Sequence, residues 1–111
     1  MARRLKPEEY ALIRHMLEHS GNSPLVNELD IAQVNDMNDG GMGSLRFAAA
    51  NPTKLGKVLC EAESKDSDNV PLDIAINLDE EGNLFELDIW KVDFSPLQTY
   101  PAPSTLSFSK P

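Results

Sequence analysis

Between Leu72 and Asp79 apolar and polar residues alternate without a break: Leu72, Ile74, Ile76 and Leu78 fall on one side of an extended chain, and Asp73, Ala75, Asn77 and Asp79 on the other. A period of two sustained over that length fits a half-buried β-strand and no helix. Asp79-Glu80-Glu81-Gly82-Asn83 is made of turn-forming residues. Leu84 to Phe94 then resumes the alternation, with Phe85, Leu87 and Ile89 on one face and Glu86, Asp88, Trp90 and Val92 on the other. The two runs predict an antiparallel hairpin with one dry and one wet face. Past Trp90 the apolar phase shifts, because Lys91 and Asp93 continue the face of Phe85 while Trp90, Val92 and Phe94 are apolar on the opposite one. A β-bulge or sheet edge near Trp90 is expected to reconcile the two.

A sheet of this kind needs cover on one face, and the N-terminal segment offers it. Pro7 suits a first helical position, Glu8 and Glu9 suit the positive end of the helix dipole, and Tyr10, Ile13, Met16 and Leu17 share a stripe at helical spacing. Residues 7–19 therefore read as an amphipathic helix, with Gly21 available for a left-handed cap before Pro24. Lys6 is a weak choice for the residue that caps the start. Residues 25–28 allow a further helical turn, and the partial alternation of Leu29 and Ile31 predicts a strand over 29–37. Asn38-Asp39-Gly40-Gly41-Met42-Gly43 permits a tight reversal into Ser44 to Ala49, and residues 57–63 form a third strand candidate before the polar turn 64–69. The expected architecture is α+β: one helix packed on a four- to five-stranded antiparallel sheet built from hairpins. Residues 1–97 form a single domain, and 98–111 form a proline-rich tail that is extended or partly disordered. Leu97, Tyr100, Leu106 and Phe108 could fasten this tail to the domain or to a partner.

Charge narrows the functions open to such a domain. The 111 residues carry a net charge of −8, and residues 60–93 hold eleven acids against Lys65 and Lys91. This field repels nucleic-acid phosphates and anionic membranes and favours basic protein surfaces or cations, unless the acids mimic a nucleic acid toward a DNA-binding protein. It also serves plain solubility. The lone Cys60 excludes an internal disulfide and a cysteine-rich zinc site, and with no apolar run near the length of a membrane span the expectation is a cytoplasmic protein.

No reactive constellation stands out. The glycine segment lacks the lysine and spacing of a phosphate-binding loop and precedes a strand, so a hairpin turn is the better reading. Ser44 lacks a nucleophile elbow. His15 and His19 are spaced to share a helical face, but His-Met-Leu-Glu-His is not the His-Glu-x-x-His arrangement of zinc proteases. The acid pairs Glu86/Asp88 and Asp66/Asp68 and the run Asp79 to Glu81 match no EF-hand spacing. Neither a catalytic residue nor a metal ligand nor a cofactor is assigned. The candidate partner-binding residues are Glu86, Asp88 and Trp90, an indole rimmed by acids on one strand face; the competing role for Trp90 is to cover the sheet beneath the helix or tail.

The segments Asp39-Gly40-Gly41-Met42-Gly43-Ser44-Leu45-Arg46-Phe47 and Leu84-Phe85-Glu86-Leu87-Asp88-Ile89-Trp90-Lys91-Val92-Asp93-Phe94-Ser95-Pro96-Leu97 together resemble the bacterial domain of unknown function 6984. The start Leu5-Lys6-Pro7-Glu8-Glu9 fits as well, so the likeness covers roughly residues 3–97. It implies a compact bacterial domain and no assigned reaction. The expectation is a non-catalytic acidic module that binds a basic protein surface, in the manner of an immunity or inhibitor protein. A small metal-dependent hydrolase and a structural homodimer are the alternatives.

Overall fold

The helix α1 spans Pro7–His19, where the spacing predicts it, and buries Leu12, Ile13, Met16 and Leu17 against one face of the sheet. The computed structural model describes residues 2–49 and 53–108. The weak cap at Lys6 is compensated from within the helix: Glu9 Oε1 accepts the Lys6 backbone N–H at 2.8 Å, the acidic half of a capping box. Buried Glu9 also takes both arms of the Arg3 guanidinium, at 2.9 and 2.8 Å, and Arg3 reaches on to Asp36 at 2.7 Å. The helix ends as Gly21 turns left-handed, with φ of 79°.

Among the described residues the sheet has six strands, all antiparallel: β1 (Arg3–Arg4), β2 (Gln33–Asp36), β3 (Leu45–Phe47), β4 (Leu55–Lys65), β5 (Pro71–Asp79) and β6 (Leu84–Lys91), in the spatial order β1-β2-β3-β6-β5-β4. The fold is therefore α+β, a helix packed on an antiparallel sheet. The strand count exceeds four to five through β1, a two-residue pairing of Arg3 with Val34 and Arg4 with Gln33 that is too short for any periodicity to announce. The core lies between α1 and the inner rows of the sheet, where Leu72, Ile74, Ile76, Leu87 and Ile89 are buried.

Two expectations are corrected. The strand expected over 29–37 begins only at Gln33, because Ser23–Asp30 form a 3₁₀ helix. Leu29 is its buried anchor and Ile31 is 76% exposed, so the two do not belong to one strand face. Of the bulge or sheet edge expected near Trp90, the bulge is absent, since β5 and β6 stay in register from Leu72↔Lys91 through Asn77↔Glu86; the edge is there, since among the described residues β3 pairs with β6 only at Glu86 and Leu87. The phase shift instead reflects a lysine kept on the dry face. The irregularity lies at the turn end, where Leu78 pairs with Leu84 and Phe85 is the extra residue. Leu84 thus takes the core position expected of Phe85, and Phe85 is buried under the Arg46 guanidinium, 4.3 Å from its ring centroid.

Beyond β6 the chain crosses back over the domain in extended form with a short 3₁₀ turn at Pro103–Thr105. Leu97, Tyr100, Leu106 and Phe108 pack against the core, Ser107 exchanges two 2.8 Å backbone hydrogen bonds with Glu63, and Phe108 stacks on His19 with ring centroids 3.6 Å apart. The expectation for residues 109–111 of the tail lies outside the described residues.

Candidate functional site

Among the described residues no helix covers the outer face of the sheet. Strand registers order its side chains into rows: Glu63, Asp73 and Trp90 in one, Glu61, Ala75 and Asp88 in the next, and Asn77, Glu86, Arg46 and Asn35 beyond. Ala75 is small, so the second row is low at its centre, and a groove of about 350 Å³ opens there between Glu61, Glu63, Asp73, Asp88 and Trp90. Among the described residues no basic side chain pairs with any of those four carboxylates.

The three residues singled out by sequence have different surroundings. Glu86 is committed inward: its side chain is only 13% exposed, and it accepts hydrogen bonds from Arg46 Nη2 at 3.1 Å and Asn77 Nδ2 at 3.0 Å. Asp88 is exposed, with Ser44 Oγ 3.4 Å from Oδ1. Partial burial of its carboxylate and the negative charges of Glu86 and Asp39 raise its pKa above the usual carboxylate value, against the lowering effect of Ser44. Trp90 is 46% exposed and lies under neither the helix nor the tail; its ring tilts against Phe94 at 5.8 Å. Phe94 is 69% exposed and sits at φ of 64°, a conformation that bulky residues rarely adopt, so the chain holds an aromatic ring in water on a strained backbone. Glu61, Glu63 and Phe94 were not signalled as site residues. The first two join the site only once the β4 register is known, whereas Asp73 was already legible as outward-facing.

Asp66 and Asp68, the other acid pair of interest, bind Lys91. Its ammonium lies fully buried, 2.8 Å from Asp66 Oδ2, 2.7 Å from Asp68 Oδ2 and 3.2 Å from the Pro96 carbonyl. Burial alone would raise the pKa of Asp66, but hydrogen bonds from Lys91 and the amides of Gln98, Ser67 and Thr99 outweigh it and hold the carboxyl well below the usual range. Burial likewise disfavours the Lys91 charge, and the two aspartates outweigh it, so its pKa is raised. These residues tie the β4–β5 turn to the segment after β6, which is a structural role.

The glycine segment is a hairpin turn, with Gly40, Gly41 and Gly43 all at positive φ. Asp39 accepts the Met42 and Ser44 amides at 3.1 and 3.0 Å, and Ser44 Oγ is spent on β6, accepting the Ile89 N–H at 2.9 Å. The Gly41 carbonyl accepts the Leu97 N–H at 2.9 Å, and a Cβ at Gly43 would stand 3.1 Å from Leu97 Cδ2 and 3.5 Å from the Tyr100 ring. The glycine turn and the Pro96-Leu97 segment that follows β6, far apart in sequence, are thus two halves of one packed unit. The pattern of the family described as domain of unknown function 6984 matches residues 2–101. The chain belongs to this family. The DUF6984 match runs past Leu97 to include Tyr100, in keeping with the packing of that ring on Gly43. No curated protein and no solved structure matches the chain.

Elsewhere on this DUF6984 domain the chemistry is sparse. His15 and His19 do share a helix face, but it is the face that Phe108 covers, with ring centroids at 6.0 and 3.6 Å. Among the described residues no three His, Cys, Asp or Glu side chains are grouped to hold a metal ion. Burial raises the pKa of the Cys60 thiol. A larger cavity of about 640 Å³ lies near the β5–β6 turn, between Ile31, Phe47, Asp79 and Leu84. Its buried carboxylate, Asp79, is engaged by the turn amides of Glu81 and Asn83 at 2.8 and 3.0 Å, which lower its pKa. Among the described residues no helix is long and apolar enough to cross a membrane.

Proposed function

We propose that this domain is a non-catalytic module that binds a basic surface of another protein through the outer face of β4, β5 and β6. The observation that carries this reading is the half-exposed Trp90 beside four carboxylates, Glu61, Glu63, Asp73 and Asp88, that no cation neutralises among the described residues. An indole next to uncompensated acids suits an arginine or lysine, whose cation can lie on the ring while its donors reach a carboxylate. The exposed Val92 and Phe94 extend the apolar part of the patch, and such aromatic anchors carry most of the energy in protein interfaces. The same field disfavours nucleic acid and anionic membrane as partners. An inhibitor or immunity protein that covers the basic site of a toxin is a role this charge suits, and the single unpaired Cys60 accords with a cytoplasmic location.

The test is capture of partners from a lysate of the native cell at low and high salt. The parent is set beside an Asp73→Lys/Asp88→Lys/Trp90→Ala variant; Glu86 is left intact because it holds Arg46. A basic protein retained by the parent, released by salt and lost from the folded variant is the expected result. A partner that the variant retains undiminished would remove this face from consideration.

A further inference from the structure

Around Trp90 the backbone is already committed, so whatever docks there meets side chains. Strand β5 is paired through this region on both sides, with β4 and with β6. On the other margin of β6 the amides of Ile89 and Lys91 donate to Ser44 Oγ at 2.9 Å and to Met42 Sδ at 3.3 Å. An extended partner segment laid across such a face would bury its own N–H and C=O groups without partners, whereas a helix bonds them internally. The patch is also ordered along the strands. Asp88 stands opposite Ala75, the next row sets Trp90 opposite Asp73, and the exposed Val92 and Phe94 follow, with the Phe94 ring 5.8 Å from the indole. Rows two residues apart on a strand are spaced by about 6.8 Å, and residues i and i+4 of a helix by a rise of about 6 Å, so the two repeats match over a short patch. Asp73 and Asp88 are exposed, and among the described residues no basic side chain pairs with either.

We propose that this face takes an amphipathic helix of a partner protein, laid along β5 and β6, with arginine or lysine at i and i+4 over Asp88 and Asp73 and an apolar residue one turn further on against Val92 and Phe94. The inference rests on the binding reading given above and names the form of the partner. Charge complementarity carries it: the basic residue at i+4 reaches the Asp73 carboxylate with its alkyl stem and cation on the Trp90 ring, and the residue at i supplies the cation that Asp88 lacks. Asp88 gains most from it, because its other charged neighbours, Glu86 and Asp39, are themselves acids. The opposite face of the same sheet is already covered in this way by α1, whose Leu12, Ile13, Met16 and Leu17 are buried on it. A second copy of this chain fits less well. Set face to face across a twofold axis, it would bring the same carboxylates toward one another.

The probe is a blocked, alanine-rich helical peptide of about sixteen residues with arginine at i and i+4 and leucine at i+7 and i+8, titrated into the isotope-labelled full chain and followed by NMR. One control peptide has the same composition with the arginines moved to the face opposite the leucines, and a second has a central proline that breaks the helix. The control chain is Asp73→Asn/Asp88→Asn. Saturable shifts centred on Asp73, Asp88, Trp90 and Phe94, a gain of helical circular dichroism on mixing, and binding weaker by about tenfold or more in every control are expected. If the doubly substituted chain does not fold, the two control peptides decide the matter with the parent. Equal binding of the proline peptide would overturn the helix and leave the face to a basic partner of another shape. Equal binding of the rearranged peptide would reduce the contact to net charge and overturn the register. No saturable shift at millimolar peptide would overturn the inference, and lysate capture would still test the face separately. A concentration-dependent dimer of the parent with shifts at the same residues would replace the partner helix with a second copy.

Discussion

Replacing Asp66 by alanine tests the buried charge cluster most directly. The carboxylate accepts Lys91 Nζ at 2.8 Å and the amides of Ser67, Gln98 and Thr99 at 2.7, 2.8 and 2.9 Å, and its side chain has no solvent exposure. Truncation leaves a buried ammonium with one carboxylate and strips three amides of their acceptor. Breaking a buried pair on one side typically costs about 3–5 kcal/mol. Asp68 remains at 2.7 Å, so the lower end, about 3 kcal/mol, is expected. Against a total of roughly 5–15 kcal/mol for a domain this is a large fraction. With a urea slope of about 1.5 kcal/mol/M it lowers the unfolding midpoint by about 2 M. Urea titration followed by the fluorescence of Trp90, the only tryptophan and the neighbour of Lys91, reads the change. The sign with pH follows from the depressed pKa of Asp66: its contribution is present above the unfolded value of about 4 and is lost as pH falls through the lower folded value. The parent midpoint should therefore fall more steeply than that of Asp66→Asn below about pH 4. A midpoint change under about 0.5 M urea for Asp66→Ala would refute the argument and show that Asp68 and the Pro96 carbonyl suffice for Lys91.

Three further outcomes are expected. Gly43→Ala places a Cβ at φ of 95° and 3.1 Å from Leu97 Cδ2, and should cost at least about 1 kcal/mol in urea unfolding, whereas Gly82→Ala, equally left-handed but in open space, isolates the backbone part. Asp88→Asn should raise the melting temperature at pH 7 and leave it unchanged near pH 3: a carboxyl whose folded pKa is raised loses stability as pH rises from the unfolded value through the folded one, and the amide does not titrate. Phe108→Ala removes the stack on His19, and should lower stability by about 0.5–1.5 kcal/mol and speed hydrogen exchange at the Ser107 amide while the amides of β5 keep their protection.

Helix α1 and the β5–β6 hairpin were legible because their periods are long and regular enough to fix which side is buried. The strand expected over 29–37 misled because Leu29 and Ile31 stand two apart by coincidence, one anchoring a 3₁₀ turn and the other in water. Lys91 suggested a bulge or a sheet edge near Trp90, and its burial was not foreseen, because hydropathy cannot show that a lysine will be neutralised by Asp66 and Asp68 from another loop. For the site, Trp90 and Asp88 could be placed on the wet face from alternation alone. The inward turn of Glu86 required Arg46 and Asn77 as neighbours, and the contribution of Glu61 and Glu63 required the β4 register, which two irregular steps conceal from a pattern of period two.

The place of β6 between β3 and β5 has a consequence for assembly of the chain. Residues 84–91 are the last strand to be synthesised, yet they join the β1-β2-β3 ribbon to the β4-β5 pair. Until they emerge, the β1-β2-β3 and β4-β5 segments lack the strand that joins them, and Leu45, Ile74 and Ile76 lack their final neighbours. A ribosome stalled before Leu84 would therefore present unpaired strand segments to chaperones and to other nascent chains, and a chain released there should aggregate as it leaves the ribosome.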